Sequence, residues 1–165
     1  MGNLLTGKTV GIIGCGRIGT AVARMLAGFE CTLLGFDPGL ASHPTIALTD
    51  LETLLRQSDL VTLHLPYSAA SHQIINAGNV MTLKKGAVVI NAARGGVVDE
   101  EALCQALKCG HLGGLGLDCF TNEPYQGELA SCDKAVLTCH VGSYALEARM
   151  KMEAETVENL LKGLE

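Results

Sequence analysis

Three glycines at positions 14, 16 and 19, spaced G-x-G-x-x-G, constrain this chain more than any other feature. They sit in V-G-I-I-G-C-G-R-I-G-T, Val10 to Thr20. The apolar run from Val10 to Ile13 comes before them and reads as a strand. Ile18, Ala21, Val22, Met25 and Leu26 follow at the spacing that makes one apolar helix face. In a strand–turn–helix unit each glycine has a task. Gly14 allows the sharp turn, Gly16 lets backbone approach a pyrophosphate, and Gly19 lets the helix pack closely on the strand. The helix start then offers the N–H groups of Arg17 and Ile18, with a partial positive charge, to phosphate oxygens.

A second apolar run, Cys31 to Phe36, ends in Asp37, eighteen residues after Gly19. A carboxylate at that point accepts hydrogen bonds from adenosine ribose hydroxyls and repels a 2′-phosphate, which favours NAD over NADP. Asp37 also reads as a turn former ahead of Pro38 and Gly39. Cys15, inside the loop, has two readings. A helix N-terminus lowers a nearby thiol pKa, or the residue is a small apolar filler.

The rest of the chain repeats the strand–helix alternation. The sequence predicts strands at 8–13, 31–37, 59–65, 87–90, 112–117 and 135–138. Helices are expected at 17–27 (stopped by Gly28), after a Thr49–Glu52 capping box, at 76–81, after Asp99, and at 144–161. Residues 38–48 read as a loop. Asp99, Glu100 and Glu101 at one end of a helix, with Lys108 and then Gly110 at the other, suit its dipole. Alternation of this kind implies an α/β fold, a doubly wound parallel sheet in three αβα layers, formed by residues 1–165 as one domain. Ligands in such folds lie beyond the carboxyl ends of the strands. Those ends carry Asp37, His64, Asn91 to Arg94, Asp118 and His140. His64 reads equally as a satisfied strand-end histidine or as an adenine neighbour.

Bulk properties exclude some partners. Net charge is −5 and no basic stretch stands out, which argues against nucleic acid. No apolar run approaches the roughly 20 residues that span a bilayer, and no signal peptide is legible, so neither a membrane nor secretion is expected. The seven cysteines show no C-x-x-C pair and no metal spacing, so no metal is expected. Reduced cysteines suit the cytoplasm.

Five segments in order then carry a resemblance. G-K-T-V-G-I-I-G-C-G-R-I-G at 7–19, L-H-L-P at 63–66, N-A-A-R-G-G-V-V-D-E at 91–100, L-D-C-F-T-N-E-P at 117–124 and H-V-G at 140–142 resemble the nucleotide-binding domain of the NAD-dependent D-2-hydroxyacid dehydrogenases. The resemblance implies that Arg94, Glu123 and His140 form a catalytic trio. Arginine offers a forked, permanently charged donor set to a carboxylate and a carbonyl. Histidine titrates near working pH and exchanges a proton with the carbonyl or hydroxyl oxygen. Glu123 would bond the other imidazole nitrogen and favour the imidazolium. The resemblance further implies that Asp118 bonds the nicotinamide carboxamide. It puts Leu65, Pro66, Ala92, Ala93 and Gly142 along the cofactor. Cys139 stands where the family usually has proline, and Ser71 where threonine is usual.

Members of this family carry a second, substrate-binding domain built largely from residues ahead of the glycine loop. The chain starts almost at the first strand, so the expectation is that this second domain is absent from it. It should bind NAD and turn over little or no 2-hydroxy or 2-oxo acid alone. Within the family, segment 140–165 leans towards the 3-phosphoglycerate dehydrogenases. A homodimer is expected from the family. An NAD-sensing, corepressor-like interaction protein of the same fold is the alternative.

Overall fold

In the computed structural model, which describes residues 2–164, β1 (Thr9–Ile13) is the third strand across a seven-stranded sheet. The other strands are β2 (Thr32–Phe36), β3 (Ala47–Leu48), β4 (Leu60–Leu63), β5 (Val88–Asn91), β6 (Gly114–Leu117) and β7 (Ala135–Leu137). Every pairing is parallel, in the order β3-β2-β1-β4-β5-β6-β7. The chain leaves β1 towards β2 and β3, then returns across it to β4. That reversal opens a crevice at the carboxyl ends of β1 and β4, where a doubly wound sheet binds its ligand.

Helix α1 (Arg17–Leu26) covers one face of the sheet, and α2 (Leu51–Gln57) and α3 (Glu100–Lys108) cover the other. The strands are apolar on both faces because both are roofed. Val10, Ile12, Cys15, Ala23 and Ile46 pack beneath α1. A much larger core, including Leu54, Leu63, Ile75, Leu103 and Leu112, lies beneath α2 and α3. A final helix, α4 (Leu146–Lys162), buries none of its residues. No helix among the described residues is long and apolar enough to cross a membrane.

Local chemistry moved several expected boundaries. The loop at 38–48 holds an extra short strand: Ala47 and Leu48 pair with Leu34 and Gly35, and Ile46 is buried beside them. Thr49 still belongs to that strand's end, because its N–H bonds the Gly35 carbonyl at 2.8 Å. Asp50 therefore caps α2, its carboxylate accepting from Thr53 N–H at 2.8 Å and from the Thr53 hydroxyl at 2.7 Å. Helix α1 does not stop at Gly28. It tightens into a 3-10 turn over Ala27–Phe29, and Glu30 makes the reversal at φ 53°. At 76–81 the expected helix is replaced by an asparagine-held turn and a 3-10 helix, Val80–Thr82. Asn79 accepts from Asn76 N–H, and its own amide donates to the Ile74 carbonyl at 2.8 Å. Side-chain amides of this kind compete with helix hydrogen bonds.

Candidate active site

The glycine loop is built by contacts that leave no room for side chains. Gly14 turns at φ 89°, in the left-handed region. A Cβ on Gly19 would strike the Gly14 carbonyl oxygen and crowd the Ile12 side chain at 3.2 Å. Gly16 differs, since a Cβ there would meet nothing within 4 Å. It stands at the N-cap of α1, and the first N–H groups of that helix have no partner one turn earlier. Gly16, Arg17 and Ile18 are exposed there. The open cradle, free donors and positive helix end fit a pyrophosphate.

Asp37 follows β2 and reaches back to the loop. One carboxylate oxygen accepts from Cys15 N–H at 2.9 Å and the other from Gly39 N–H at 2.9 Å. Asp37 thus shapes a turn, as one of its sequence readings expects, and it also lines the groove. Asp37 lines a cleft of about 440 Å³ with Gly14, Gly16, His64, Leu65 and Pro66. The last three continue into a second cleft of about 250 Å³ that adds Ile18, Ala92, Ala93 and Arg94. Gly14, Gly16, Ile18, Asp37, Leu65, Pro66, Ala92 and Ala93, expected along the cofactor, thus line two adjoining clefts from an acidic end to an arginine, while Arg17, Gly19, Asp118 and Gly142 line neither.

His64 is a strand-end histidine whose Nε2 meets the Thr62 hydroxyl at 3.0 Å. Burial pushes its pKa down, so it lines the groove as a neutral ring. Cys15 resolves to filler. Its thiol is 2 % exposed, turned towards the Ile12 carbonyl and packed on Gly35. Burial, reinforced by the Asp37 charge, pushes that thiol up to about 11. The reading of a thiol activated by the helix end is therefore overturned. Ser71 is buried and pins the turn after β4: its hydroxyl donates to the Pro66 carbonyl and accepts from Ser68 N–H, both at 2.7 Å.

Beyond the ends of β5, β6 and β7, one cleft of about 530 Å³ is lined by Arg94, Glu123 and His140 together. Three separate segments supply them, and buried polar groups set each one. Asn91, fully buried at the end of β5, donates to the Arg94 carbonyl at 2.9 Å and accepts from Ala93 N–H at 3.0 Å. That side chain shapes the turn presenting Arg94, whose guanidinium is exposed and donates to the Ala93 carbonyl at 2.6 Å. Gly95 lets the turn press on the 120 segment, because a Cβ there would strike the Phe120 carbonyl.

His140 Nδ1 lies 3.1 and 3.2 Å from the two Glu123 oxygens. With a proton on Nδ1, the ring donates to Glu123 and leaves Nε2 free. Glu123 also accepts from Phe120 N–H at 3.0 Å. That N–H first, and the His140 ring second, hold its carboxyl below the usual range. The backbone of His140 itself is left-handed, at φ 56°. Such a conformation costs an L-residue about 1–2 kcal/mol and persists only where its surroundings impose it.

Asp118 imposes it. One of its oxygens accepts from the Thr138 hydroxyl at 2.6 Å and from Val141 N–H at 2.8 Å, and the other from Gly142 N–H at 2.9 Å. Burial pushes the Asp118 carboxyl up, but these donors pull harder and hold it below its ordinary value. Asp118 is thus the anchor of the turn that carries His140, a role the sequence did not disclose. Gly142 reaches the site through this bond. Tyr67 and His72 also line the Arg94 cleft, with the Tyr67 hydroxyl 3.3 Å from His72 Nδ1. No sequence pattern marked them, since loop residues meet this site only through the fold.

Known proteins resemble this chain in sequence and fold. Residues 1–142 match the family described as D-isomer specific 2-hydroxyacid dehydrogenase, NAD binding domain. A glyoxylate reductase of Thermofilum pendens is 40 % identical over 167 residues, covering 97 % of this chain and 49 % of that protein. A D-3-phosphoglycerate dehydrogenase of Archaeoglobus fulgidus is 37 % identical, covering 99 % of this chain and 33 % of its own length. The crystal structure of a glyoxylate reductase from Paecilomyes thermophila superposes with a TM-score of 0.94 at 33 % identity, covering 100 % of this chain and 52 % of that one. The chain spans about half the length of the reductases it matches.

Proposed function

The chain belongs to the D-isomer specific 2-hydroxyacid dehydrogenase family as its NAD binding domain, and from that premise we propose that it carries the cofactor site and the reacting side chains of an enzyme moving hydride between NAD and a D-2-hydroxy or 2-oxo acid. The observation that carries this reading is the single cleft shared by Arg94, Glu123 and His140 at the end of a groove that starts at Asp37.

When bound, NAD supplies the hydride chemistry. The Gly14–Gly19 loop and the start of α1 hold its pyrophosphate, and Asp37 holds the adenosine ribose and disfavours a 2′-phosphate. Arg94 pairs with the acid's carboxylate and polarises the neighbouring carbonyl. His140 gives a proton from Nε2 to the carbonyl oxygen in reduction and takes it back in oxidation. Glu123 accepts from the Nδ1 side of the ring and leaves Nε2 facing the substrate. Asp118 keeps the ring aimed, with lone-pair capacity left for a carboxamide N–H.

The reading extends to a whole protein about twice this length, with a second domain completing the substrate pocket. This chain alone then binds NAD and turns over little. A homodimer suits that reading, and seven unpaired cysteines support a cytoplasmic setting. The relatives are named as reductases and a dehydrogenase, which favours an enzyme over the corepressor reading. Their differing substrates leave the acid open.

The test has two stages. Fluorescence titration of this chain should give NADH binding at least tenfold tighter than NADPH. A panel of glyoxylate, hydroxypyruvate, 3-phosphohydroxypyruvate and longer 2-oxo acids should then show turnover by the full-length protein. Replacing His140 by Gln should lower that turnover by about 10²–10⁴-fold, the usual worth of a positioned proton donor. NADH binding without turnover of any 2-oxo acid would sink the enzymatic reading.

A further inference from the structure

Cys119 sits immediately behind the Glu123–His140 pair. Its thiol is 1 % exposed and faces the Ala93 carbonyl at 3.7 Å. Among the described residues, Cys119, Glu123 and His140 form the one group of three metal-ligating side chains whose donor atoms all lie within 4.8 Å of one another. The set comprises one sulfur, one carboxylate oxygen and one imidazole nitrogen. Spacing among the cysteines gave no hint of it, because the three positions meet only through the fold.

We propose that Cys119, Glu123 and His140 form a three-ligand site for a borderline-soft divalent cation, Zn²⁺ foremost, and that the bound ion switches off the proton donor. A mixed S, N and O set with a fourth position open to the cleft suits tetrahedral zinc. Zinc bonds of about 2.0–2.3 Å put ligand atoms roughly 3.3–3.6 Å apart. Small rotations of Glu123 and His140, whose side chains are 39 % and 44 % exposed, close the remaining gap. The Asp118 carboxylate, whose residue adjoins Cys119 in sequence, adds a negative charge that attracts a dication. On binding, the thiol proton and any Nδ1 proton of His140 leave to solvent.

A metal on Nδ1 replaces the Glu123 contact and ends the imidazole's ability to become a cation. The ring then no longer delivers a proton at neutral pH. Binding itself stands apart from the dehydrogenase reading; inhibition rests on it.

Cobalt(II) reports thiolate ligation directly. Titrating the reduced chain with Co²⁺ should produce a near-ultraviolet thiolate-to-cobalt charge-transfer band and strong visible absorption, saturating at one equivalent and removed by Zn²⁺. Cys119→Val keeps the apolar volume and should abolish the band and weaken binding by about 100-fold, at or beyond the cost of losing a ligand's supporting partner. Glu123→Gln, on an exposed side chain, should weaken it at least tenfold. Cys104→Ser and Cys132→Ser should leave the band intact. NADH binding retained by each variant shows that it folds. Absence of the band in the native chain, or its survival in Cys119→Val, overturns the site. In the full-length protein, Zn²⁺ should inhibit turnover reversibly by chelation and spare Cys119→Val. Zinc-insensitive turnover overturns the inhibition. A cobalt band in a protein with no turnover instead refutes the dehydrogenase reading and leaves the metal site standing.

Discussion

The cofactor end and the catalytic end of this groove are built differently. Gly14, Gly16, Gly19 and Asp37 belong to one continuous stretch, in which backbone contacts too close for side chains fix Gly14 and Gly19, Gly16 stays open and Asp37 hydrogen-bonds the loop. Arg94, Glu123 and His140 come from three stretches, each set by a buried polar side chain or a backbone donor. Van der Waals contact between backbones is unforgiving, both locally at Gly19 and where Gly14 meets the His64 carbonyl at the end of β4. Hydrogen bonds tolerate small movements; those of Asn91 stay within its own turn, and those accepted by Asp118 depend on β6 and β7 being in register. A cofactor loop therefore fails by collision, and a catalytic constellation fails by drift.

The largest expected effect tests the collision side. Gly19→Ala forces a Cβ into the Gly14 carbonyl, and neither backbone has room to move. We expect a loss of about 3 kcal/mol in urea unfolding, at the upper end for overpacking, and no detectable NADH binding. Gly16→Ala is its control. With nothing within 4 Å of the added methyl, stability should change by less than about 0.5 kcal/mol while NADH binding is lost. Equal destabilisation of the two variants would break the distinction. The catalytic end holds one steric position of its own. Gly95→Ala meets the Phe120 carbonyl and should cost about 2 kcal/mol while sparing NADH affinity.

Drift is tested at Asp118. Asp118→Asn keeps the shape but opposes an amide to one of the three donors, so a loss of about 2 kcal/mol is expected. His140 should relax from its left-handed backbone, visible as a shift of its amide resonance, with NADH affinity reduced less than tenfold. The pH dependence has a definite sign. The folded carboxyl titrates below its ordinary value, so its contribution is full above about pH 4 and is lost as pH falls through the folded pKa. Stability of the native chain should fall more steeply below pH 4 than that of Asp118→Asn. Parallel acid limbs would remove Asp118 from its anchoring role.

The same contrast explains what the sequence disclosed. Strand–turn–helix order, the glycine spacing and Asp37 are local, and they were legible directly. Gly110, ending α3 at φ 75°, was legible for the same reason. Arg94, Glu123 and His140 were legible only through resemblance, because no spacing links residues from three strand ends. Asp118 was marked as a site residue but its anchoring bonds were not, since they depend on where β6 sits beside β7. Two of the errors are hydrogen-bond choices. Asparagines 76 and 79 bonded the backbone in place of a helix, and the Thr49 N–H was held by the Gly35 carbonyl, so Thr49 did not cap α2. Side-chain and backbone polar groups chose partners that periodicity does not encode.

Asp37 belongs to both regimes and sharpens the boundary. Its carboxylate accepts from Cys15 and Gly39, and it also lines one end of the groove. Asp37→Ala should cost about 1 kcal/mol of stability for the two lost acceptor contacts. It should weaken NADH about tenfold and bring NADPH to parity or better. Affinities for both cofactors falling together would assign Asp37 to loop shape alone.

The smallest effect is expected on α4, which belongs to neither end. Leu160 and Leu161 are 63 % and 59 % exposed, and the helix buries no residue. An apolar side chain that loses no water on folding contributes little, because burial and not composition supplies the free energy. Leu160→Ser should therefore shift urea unfolding of this chain by less than about 0.5 kcal/mol and leave NADH binding unchanged. A shift above about 1 kcal/mol that grows with protein concentration would show that copies of the chain bury this face against each other. That result would extend the comparison, since an apolar surface unused by either end would then be held by association and not by the fold.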